Sequence, residues 1–206
     1  MPKQKPIIVA IDAGHGMTTP GKRSPDGEFL EWGFNRNVAD ELESKLWKRG
    51  INNINTTPGP IAIPIWDRQN FVDKLGAKHR VVYISIHANA AGKNGWNDAK
   101  GAVVFHRIKA SFETVQLAQS MYEEMDKLTI KMRHDVVVGR NLRNIATGRR
   151  KGKKRKPMRA RLASVLVECG FMTNKRDVKY MSDPDYQWKI ADAIANAISA
   201  FIEEVK

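Results

Sequence analysis

The sequence predicts an α/β protein with a mainly parallel or mixed sheet. Two observations carry that prediction. Apolar, β-branched runs read as buried strands, and amphipathic helical stretches lie between them. A third observation bounds the size. A chain of 206 residues, 42% hydrophobic and 28% charged, suits one soluble globular domain with a substantial core. No internal repeat or domain boundary interrupts it.

The first strand is Ile7-Ile8-Val9-Ala10-Ile11, and it ends in the small-residue turn Asp12-Ala13-Gly14-His15-Gly16. The strand fixes the turn, and the two glycines let the backbone come close to whatever the imidazole binds. Residues 17–27 are punctuated by glycine and proline and read as a surface loop. Glu31 to Arg49 reads as a helix, because Phe34, Val38, Leu42 and Leu46 recur every four residues and Gly50 supplies a stop. Ile51 to Thr57 is a short strand, and Pro58 to Pro64 excludes both regular helix and central strand. A second amphipathic helix follows from Ile65 to Lys78, with Ile65, Phe71, Val72 and Leu75 as its apolar side.

Val81-Val82-Tyr83-Ile84-Ser85-Ile86 is the strongest strand signal, and it runs straight into His87-Ala88-Asn89-Ala90. After a polar loop, Gly101 to His106 reads as a strand. Glu113 to Leu128 reads as a helix with Val115, Ala118, Tyr122 and Met125 on one face. Val136 to Val138 is a candidate short strand. Residues 148–161 hold Arg149, Arg150, Lys151, Lys153, Lys154, Arg155, Lys156, Arg159 and Arg161, whose mutual repulsion predicts a solvated loop. Ala163 to Val167 is a fourth clear strand, ending at Glu168-Cys169-Gly170-Phe171. Asp183-Pro184 opens a closing helix that carries Ile190, Ile194, Ile198, Phe201 and Ile202 on one face.

Composition excludes several classes. No apolar run reaches the roughly 18 residues of a membrane helix. The basic N-terminus is followed by too short an apolar run for a secretory signal, so the expected site of synthesis is the cytoplasm. Cys169 is the only cysteine, which rules out an intramolecular disulfide and a cysteine-based zinc site. A net charge of +13 favours polyanions: nucleic acid, anionic lipid or an anionic cell-wall polymer.

In α/β sheets, sites gather outside the carboxyl ends of the strands. His15, His87 and Glu168 stand at three such ends. The set suits a zinc hydrolase, in which three protein ligands leave one position for water and a separate carboxylate takes the water's proton. His15 and His87 supply two nitrogens. The oxygen ligand is Glu31, in the first turn of its helix, or Glu28 in the loop before it. Glu168 is then free to act as base and afterwards as acid. Each residue has a plainer reading: a lone strand-end histidine is usually a satisfied polar group, and Glu31 favours a helix N-terminus in any case. His79, His106 and His134 lack a comparable setting and suit surface or interface roles. Cys169 points to the opposite side of its strand from Glu168 and has no histidine to activate it, so it reads as an inert thiol. Trp32, Trp66, Trp96 and Phe105 are candidates to line a groove for sugar or peptide.

Taken in order, four motifs resemble the zinc-dependent N-acetylmuramoyl-L-alanine amidases of the amidase-3 type. They are Asp12-Ala13-Gly14-His15-Gly16, Glu31 with Asn35 four residues on, Ser85-Ile86-His87-Ala88-Asn89, and Val167-Glu168-Cys169-Gly170-Phe171-Met172-Thr173-Asn174. Arg68 fits the same pattern, and the agreement extends from residue 7 to about 202. The resemblance implies a twisted, mostly parallel six-stranded sheet flanked by helices. It implies Zn²⁺ on His15, Glu31 and His87, with Glu31 preferred to Glu28 by its distance from Asn35, and Glu168 as the catalytic carboxylate. The substrate it implies is the amide joining the lactyl group of N-acetylmuramic acid to L-alanine in peptidoglycan.

Residues 132–163 match that pattern poorly, and the basic stretch at 148–161 reads as an insertion into a catalytic domain spanning 1–206. No separate wall-binding domain is expected. A compact, basic amidase without a signal peptide resembles a phage endolysin, made in the host cytoplasm and acting at the cell wall after release. On this reading the basic loop draws the enzyme to an anionic wall polymer or lipid. Two rival readings are a zinc peptidase or amide hydrolase of another substrate, and a nucleic-acid-binding protein using the basic loop. The loop lacks the interleaved aromatics that base stacking uses, so no specific nucleic acid is expected.

Overall fold

The computed structural model describes residues 4–93, 95–133, 138–139 and 161–206. In chain order the elements are β1 (Ile7–Ala13), α1 (Glu31–Lys48), β2 (Asn53–Asn55), α2 (Ile65–Leu75), β3 (Arg80–Asn89), β4 (Val103–His106), α3 (Phe112–Asp126), β5 (Val138–Gly139), β6 (Arg161–Phe171), α4 (Lys175–Met181) and α5 (Pro184–Val205). The six strands form one sheet in the order β2-β1-β3-β6-β4-β5. β1 lies parallel to β2 and β3, and β3 parallel to β6. β4 runs antiparallel to β6, and the two-residue β5 pairs parallel with β4. The expected mostly parallel six-stranded sheet with flanking helices is therefore present.

Strand alternation divides the core between the two faces. On one face Val9, Ile11, Ile84, Val165 and Val167 pack under α1, α3 and α5. The other face presents Ala10, Val81, Tyr83, Val103, Phe105 and Leu166, against Val72 of α2. α5 contributes the expected stripe of Ile190, Ile194, Ile198, Phe201 and Ile202, all buried. Asp183 caps this helix by accepting from the Asp185 N–H, with Pro184 in the first turn. Among the described residues no helix is long and apolar enough to cross a membrane.

Several local expectations are corrected. α3 buries Thr114, Leu117, Ala118, Met121 and Met125, while Val115 is exposed. The stripe at 114, 117, 118, 121 and 125 follows the helical period, and the face expected from Val115 and Tyr122 is rotated from it. In α2 the inward residues are Arg68, Gln69 and Val72, and Phe71 is exposed. A buried charge on β1 holds Arg68 inward. α4 is an element the sequence patterning does not predict. It is seven residues long, and the Asn174 side chain starts it by accepting from the Arg176 and Asp177 N–H groups. Arg161 opens β6, where its guanidinium lies over the Tyr83 ring at 4.1 Å, so it is part of the fold and not of a solvated loop. The remainder of the basic stretch, residues 148–160, lies outside the described residues, as do His134 and positions 136–137 of the candidate strand.

The charge that orients α2 is Asp12, which is fully buried. Its Oδ1 accepts from Arg68 Nη1 at 2.9 Å and from Thr56 Oγ1 at 3.1 Å, and its Oδ2 from Ser85 Oγ at 2.7 Å. Arg68 also donates from Nε to the Ile63 carbonyl at 2.8 Å. One carboxylate thus joins β1, β3, the end of β2 and the segment leading into α2. Burial raises the Asp12 pKa, but the Arg68 charge and the hydrogen bonds from Ser85 and Arg68 outweigh it, and the net shift is downward. The folded pKa is below the unfolded value, so the network's stability is present above about pH 4 and fades as pH falls toward the lowered pKa. Arg68→Ala leaves a buried carboxylate without its counter-charge. The expected cost is about 3–5 kcal/mol, read in urea unfolding at pH 7, together with acid unfolding that begins at higher pH than in the wild type.

Candidate active site

The turn after β1 continues the ladder for one more bond, with the Gly14 N–H donating to the Ile86 carbonyl at 3.0 Å. His15 then takes φ 66°, in the left-handed region that side chains with a Cβ seldom adopt. That conformation swings its imidazole back over the end of the sheet, toward Glu31. The flanking glycines have a different use from the one expected. A Cβ on Gly14 would run into the His87 ring, and one on Gly16 into the Ala62 backbone. The space beside His15 is filled by protein, and the glycines allow that close packing.

Glu31 is the first residue of α1, and its N–H is held by the Lys22 carbonyl at 3.1 Å. Asn35, one turn on, donates from Nδ2 to the Gly14 carbonyl at 3.1 Å. The helix thereby clamps the turn that carries His15. Glu31 is fully buried. Its Oε1 lies 3.0 Å from His87 Nδ1 and 3.4 Å from His15 Nε2, and it accepts from the Ala88 N–H at 3.2 Å. The two imidazoles stand edge to face, with centroids 5.0 Å apart. One donor atom from each of His15, Glu31 and His87 lies within 4.8 Å of the others. Glu28, the alternative, is exposed and stands outside this cluster.

β3 and β6 extend past the expected strand ends, so His87 and Glu168 lie inside them and are register partners. Glu168 retains some exposed surface, but its Oε2 is shielded from solvent and has no hydrogen-bond partner. Burial, reinforced by the Glu31 charge, pushes its pKa up to about 7, against the lowering influence of His87 and Lys22. Burial alone would raise the Glu31 pKa, but hydrogen bonds from His15 and His87 hold it well below the usual carboxylate range. Burial lowers the His15 pKa. Burial also disfavours the charged form of His87, but the Glu31 hydrogen bond and the Glu168 charge carry that pKa upward.

Two imidazoles and one carboxylate converging at hydrogen-bond range fit a divalent metal of the zinc type. A second observation agrees: Glu31 Oε2 is buried without a hydrogen-bond partner, with the Lys22 ammonium 3.5 Å away. Cys169 lies on the opposite face of β6, buried in the larger core, and burial pushes its thiol pKa far up, which leaves it inert. Of the candidate groove aromatics, Phe105 is buried in the smaller core and cannot line a groove. Trp66 is exposed, and Trp32 and Trp96 are half-buried. The sequence does not single out Lys22, since nothing distinguishes it from its neighbour Arg23.

Residues 9–200 match the amidase-3 family, described as N-acetylmuramoyl-L-alanine amidase. The chain belongs to this family. Among relatives of this amidase family, N-acetylmuramoyl-L-alanine amidase AmiA of Escherichia coli (strain K12) is 26% identical over 222 residues, covering 94% of this chain and 75% of that protein. The germination-specific N-acetylmuramoyl-L-alanine amidase of Bacillus subtilis (strain 168) is 26% identical over 212 residues, covering 96% of this chain and 80% of that one. A crystal structure of an N-acetylmuramoyl-L-alanine amidase from Clostridium difficile 630 superposes with a TM-score of 0.81 at 25% identity, covering 98% of this chain and 100% of the other.

The tight packing at the turn sets a test of the amidase site. Gly14→Ala must displace the His87 ring or the turn itself, and the expected loss is about 1–3 kcal/mol. A thermal melt checks it, and an unchanged Tm would remove the close-packing account of this glycine.

Proposed function

We propose that the protein hydrolyses the amide between the lactyl group of N-acetylmuramic acid and L-alanine in peptidoglycan, with zinc held by His15, Glu31 and His87 and with Glu168 as the catalytic carboxylate. The observation that carries this reading is the His15–Glu31–His87 cluster next to the unpartnered Glu168 carboxylate. Membership of the amidase family supplies the substrate.

Bound there, zinc supplies Lewis acidity, which makes a water nucleophilic near neutral pH and polarises the scissile carbonyl. The protein's own residues handle the proton. Glu168 Oε2 takes it from the attacking water and returns it to the alanine nitrogen, because an amide anion is a very poor leaving group. Glu168 Oε2 is shielded from solvent and has no other hydrogen-bond partner, so it is free to serve in both directions. Glu31 Oε1 and the Ala88 N–H fix the position of β3 beside α1, so the two imidazoles keep their mutual orientation. The network of Asp12, Arg68 and Ser85 lies beneath the site and holds β1 against β3.

Digestion of purified peptidoglycan followed by mass analysis tests the reading. The expected products are free lactyl-muramic ends and new L-alanine N-termini, lost on chelation and restored by zinc. Glu168→Ala is expected to bind zinc as the wild type does, while turnover falls about 10²–10⁴-fold. Cleavage of a different bond would favour a zinc peptidase or other amide hydrolase, and near wild-type turnover in Glu168→Ala would remove that residue from its role.

The finer reading is a lytic enzyme of the phage endolysin kind, made in the host cytoplasm and acting on the wall after release. The +13 net charge supports work at an anionic wall. Expression with a membrane-opening protein is expected to lyse the host, and expression alone is not. Lysis without membrane opening would overturn it.

A further inference from the structure

The amino ends of the parallel strands β1, β2 and β3 form a rim opposite the one that carries His15, His87 and Glu168. A groove of about 630 Å³ lies there, between the C-terminal half of α1 and the turn into β2. Ile8, near the start of β1, and His79, just before β3, also line it. Along β1, Ile8 and Ala13 are on the order of 17 Å apart, so the groove is separate from the His15–Glu31–His87 cluster.

One wall is a stripe of α1. Asp40, Glu43, Ser44 and Trp47 recur at helical spacing and all line the groove. Asn52 and Asn53 come from the turn into β2. The Asn53 amide donates to the Glu43 carbonyl at 3.4 Å and ties that turn to the helix. Trp47 is 77% exposed. Among the described residues, the side chains of Glu43, Ser44, Trp47 and Asn52 make no hydrogen bond, ion pair or ring contact. An indole open to water, beside short polar side chains with unused hydrogen-bonding capacity, is a platform for a ligand with an apolar face and a polar edge.

The charges narrow the class of ligand. The chain carries +13, yet no lysine or arginine lines this groove, so it does not suit a polyanion. Asp40 is paired with Arg36 at 3.5 Å, which leaves Glu43, among the described residues of the walls, as the unpaired carboxylate. One half-buried carboxylate makes a weak ammonium site. Together with Ser44, Asn52 and Asn53 it offers donors and acceptors suited to hydroxyl and acetamido groups. A pyranose has both features, with C–H groups on its faces and hydroxyls at its edge. In the glycan of peptidoglycan each ring also carries an acetamido group.

Resting on the proposed peptidoglycan hydrolysis, we infer that this groove binds an N-acetylhexosamine unit of the glycan, stacked on Trp47, and tethers the enzyme to the polymer at a ring other than the one whose amide is cut. Two contacts on one polymer raise the effective concentration of the second.

The test uses the full chain with zinc present and a soluble oligomer of N-acetylglucosamine, which has no lactyl amide to cleave. Titration calorimetry is expected to show binding that is indifferent to salt. Trp47→Ala weakens it about tenfold, the size of one lost aromatic contact, and Trp47→Phe keeps most of it. Asn52→Ala, in the turn into β2, weakens it about threefold. Both side chains are exposed, so the fold is expected to survive. On insoluble peptidoglycan, Trp47→Ala is expected to sediment less and to turn over about tenfold more slowly, while kcat/KM for a soluble muramoyl peptide is unchanged. A wild type that ignores the oligomer, or Trp47→Ala and Asn52→Ala variants that bind it as the wild type does, overturns the inference. Unchanged wall sedimentation and wall turnover in a variant that has lost the oligomer also overturns it. A peptide ammonium that binds in place of the oligomer, with strong salt dependence, overturns it in favour of a cation site. If the wild type releases no L-alanine N-termini yet oligomer binding still depends on Trp47, the hydrolysis reading fails and the saccharide site stands.

Discussion

The candidate site depends on the parallel register of three adjacent strands. β1 pairs with β3 through Ala13 and Ile86, and β3 with β6 through His87 and Glu168. Parallel pairing places the carboxyl ends of these strands on one rim. A shift of one residue between β3 and β6 would send Glu168 to the opposite face, among the side chains that now surround Cys169. Asp12 opposes the corresponding slip between β1 and β3 from inside the sheet. It is bound to Ser85, its register partner on β3, and to Arg68 of α2, and the cost of leaving a buried carboxylate unpaired falls on any other arrangement.

Around this frame the charges are arranged in opposition. Glu31 is ionised and shared by two histidines, whereas Glu168, one strand over from His87, is held near neutral pH. Two carboxylates in one site are thus driven to different protonation behaviour by their surroundings. Hydrogen bonds from both histidines hold Glu31 down, whereas burial beside the Glu31 charge carries Glu168 up. The proposed ligand carboxylate and the proposed proton-transferring carboxylate differ in this way.

The turn Gly14-His15-Gly16 shows how a local motif can point to a candidate site and mislead in detail. Its glycines suggest open space for a ligand. In the structure they admit the His87 ring and the Ala62 backbone, and the Asn35 amide holds the Gly14 carbonyl. The left-handed backbone of His15 is strain localised at the candidate site and maintained by these contacts. The cavity lined by Lys100, Lys131, Arg133 and Arg176 shows the complementary case, in which cations scattered along the chain form a group only after folding.

The sequence by itself determined the α/β class, the long elements and the candidate set of His15, His87 and Glu168, because apolar periodicity and short motifs are local properties. It also placed Cys169 on the far side of its strand, since alternation is local too. It misjudged the inward faces of α2 and α3, because a helix rotates to suit its neighbours: Arg68 is drawn in by Asp12, a partner 56 residues away. From residues alone it left Glu31 and Glu28 open, since nothing in the loop says which carboxylate is buried, and only resemblance to a family favoured Glu31. The tertiary structure decided that point by packing α1 beside β3, which buries Glu31 against both histidines. It also decided what the glycines accommodate and which cations share a cavity, because those are distances between segments remote in the chain.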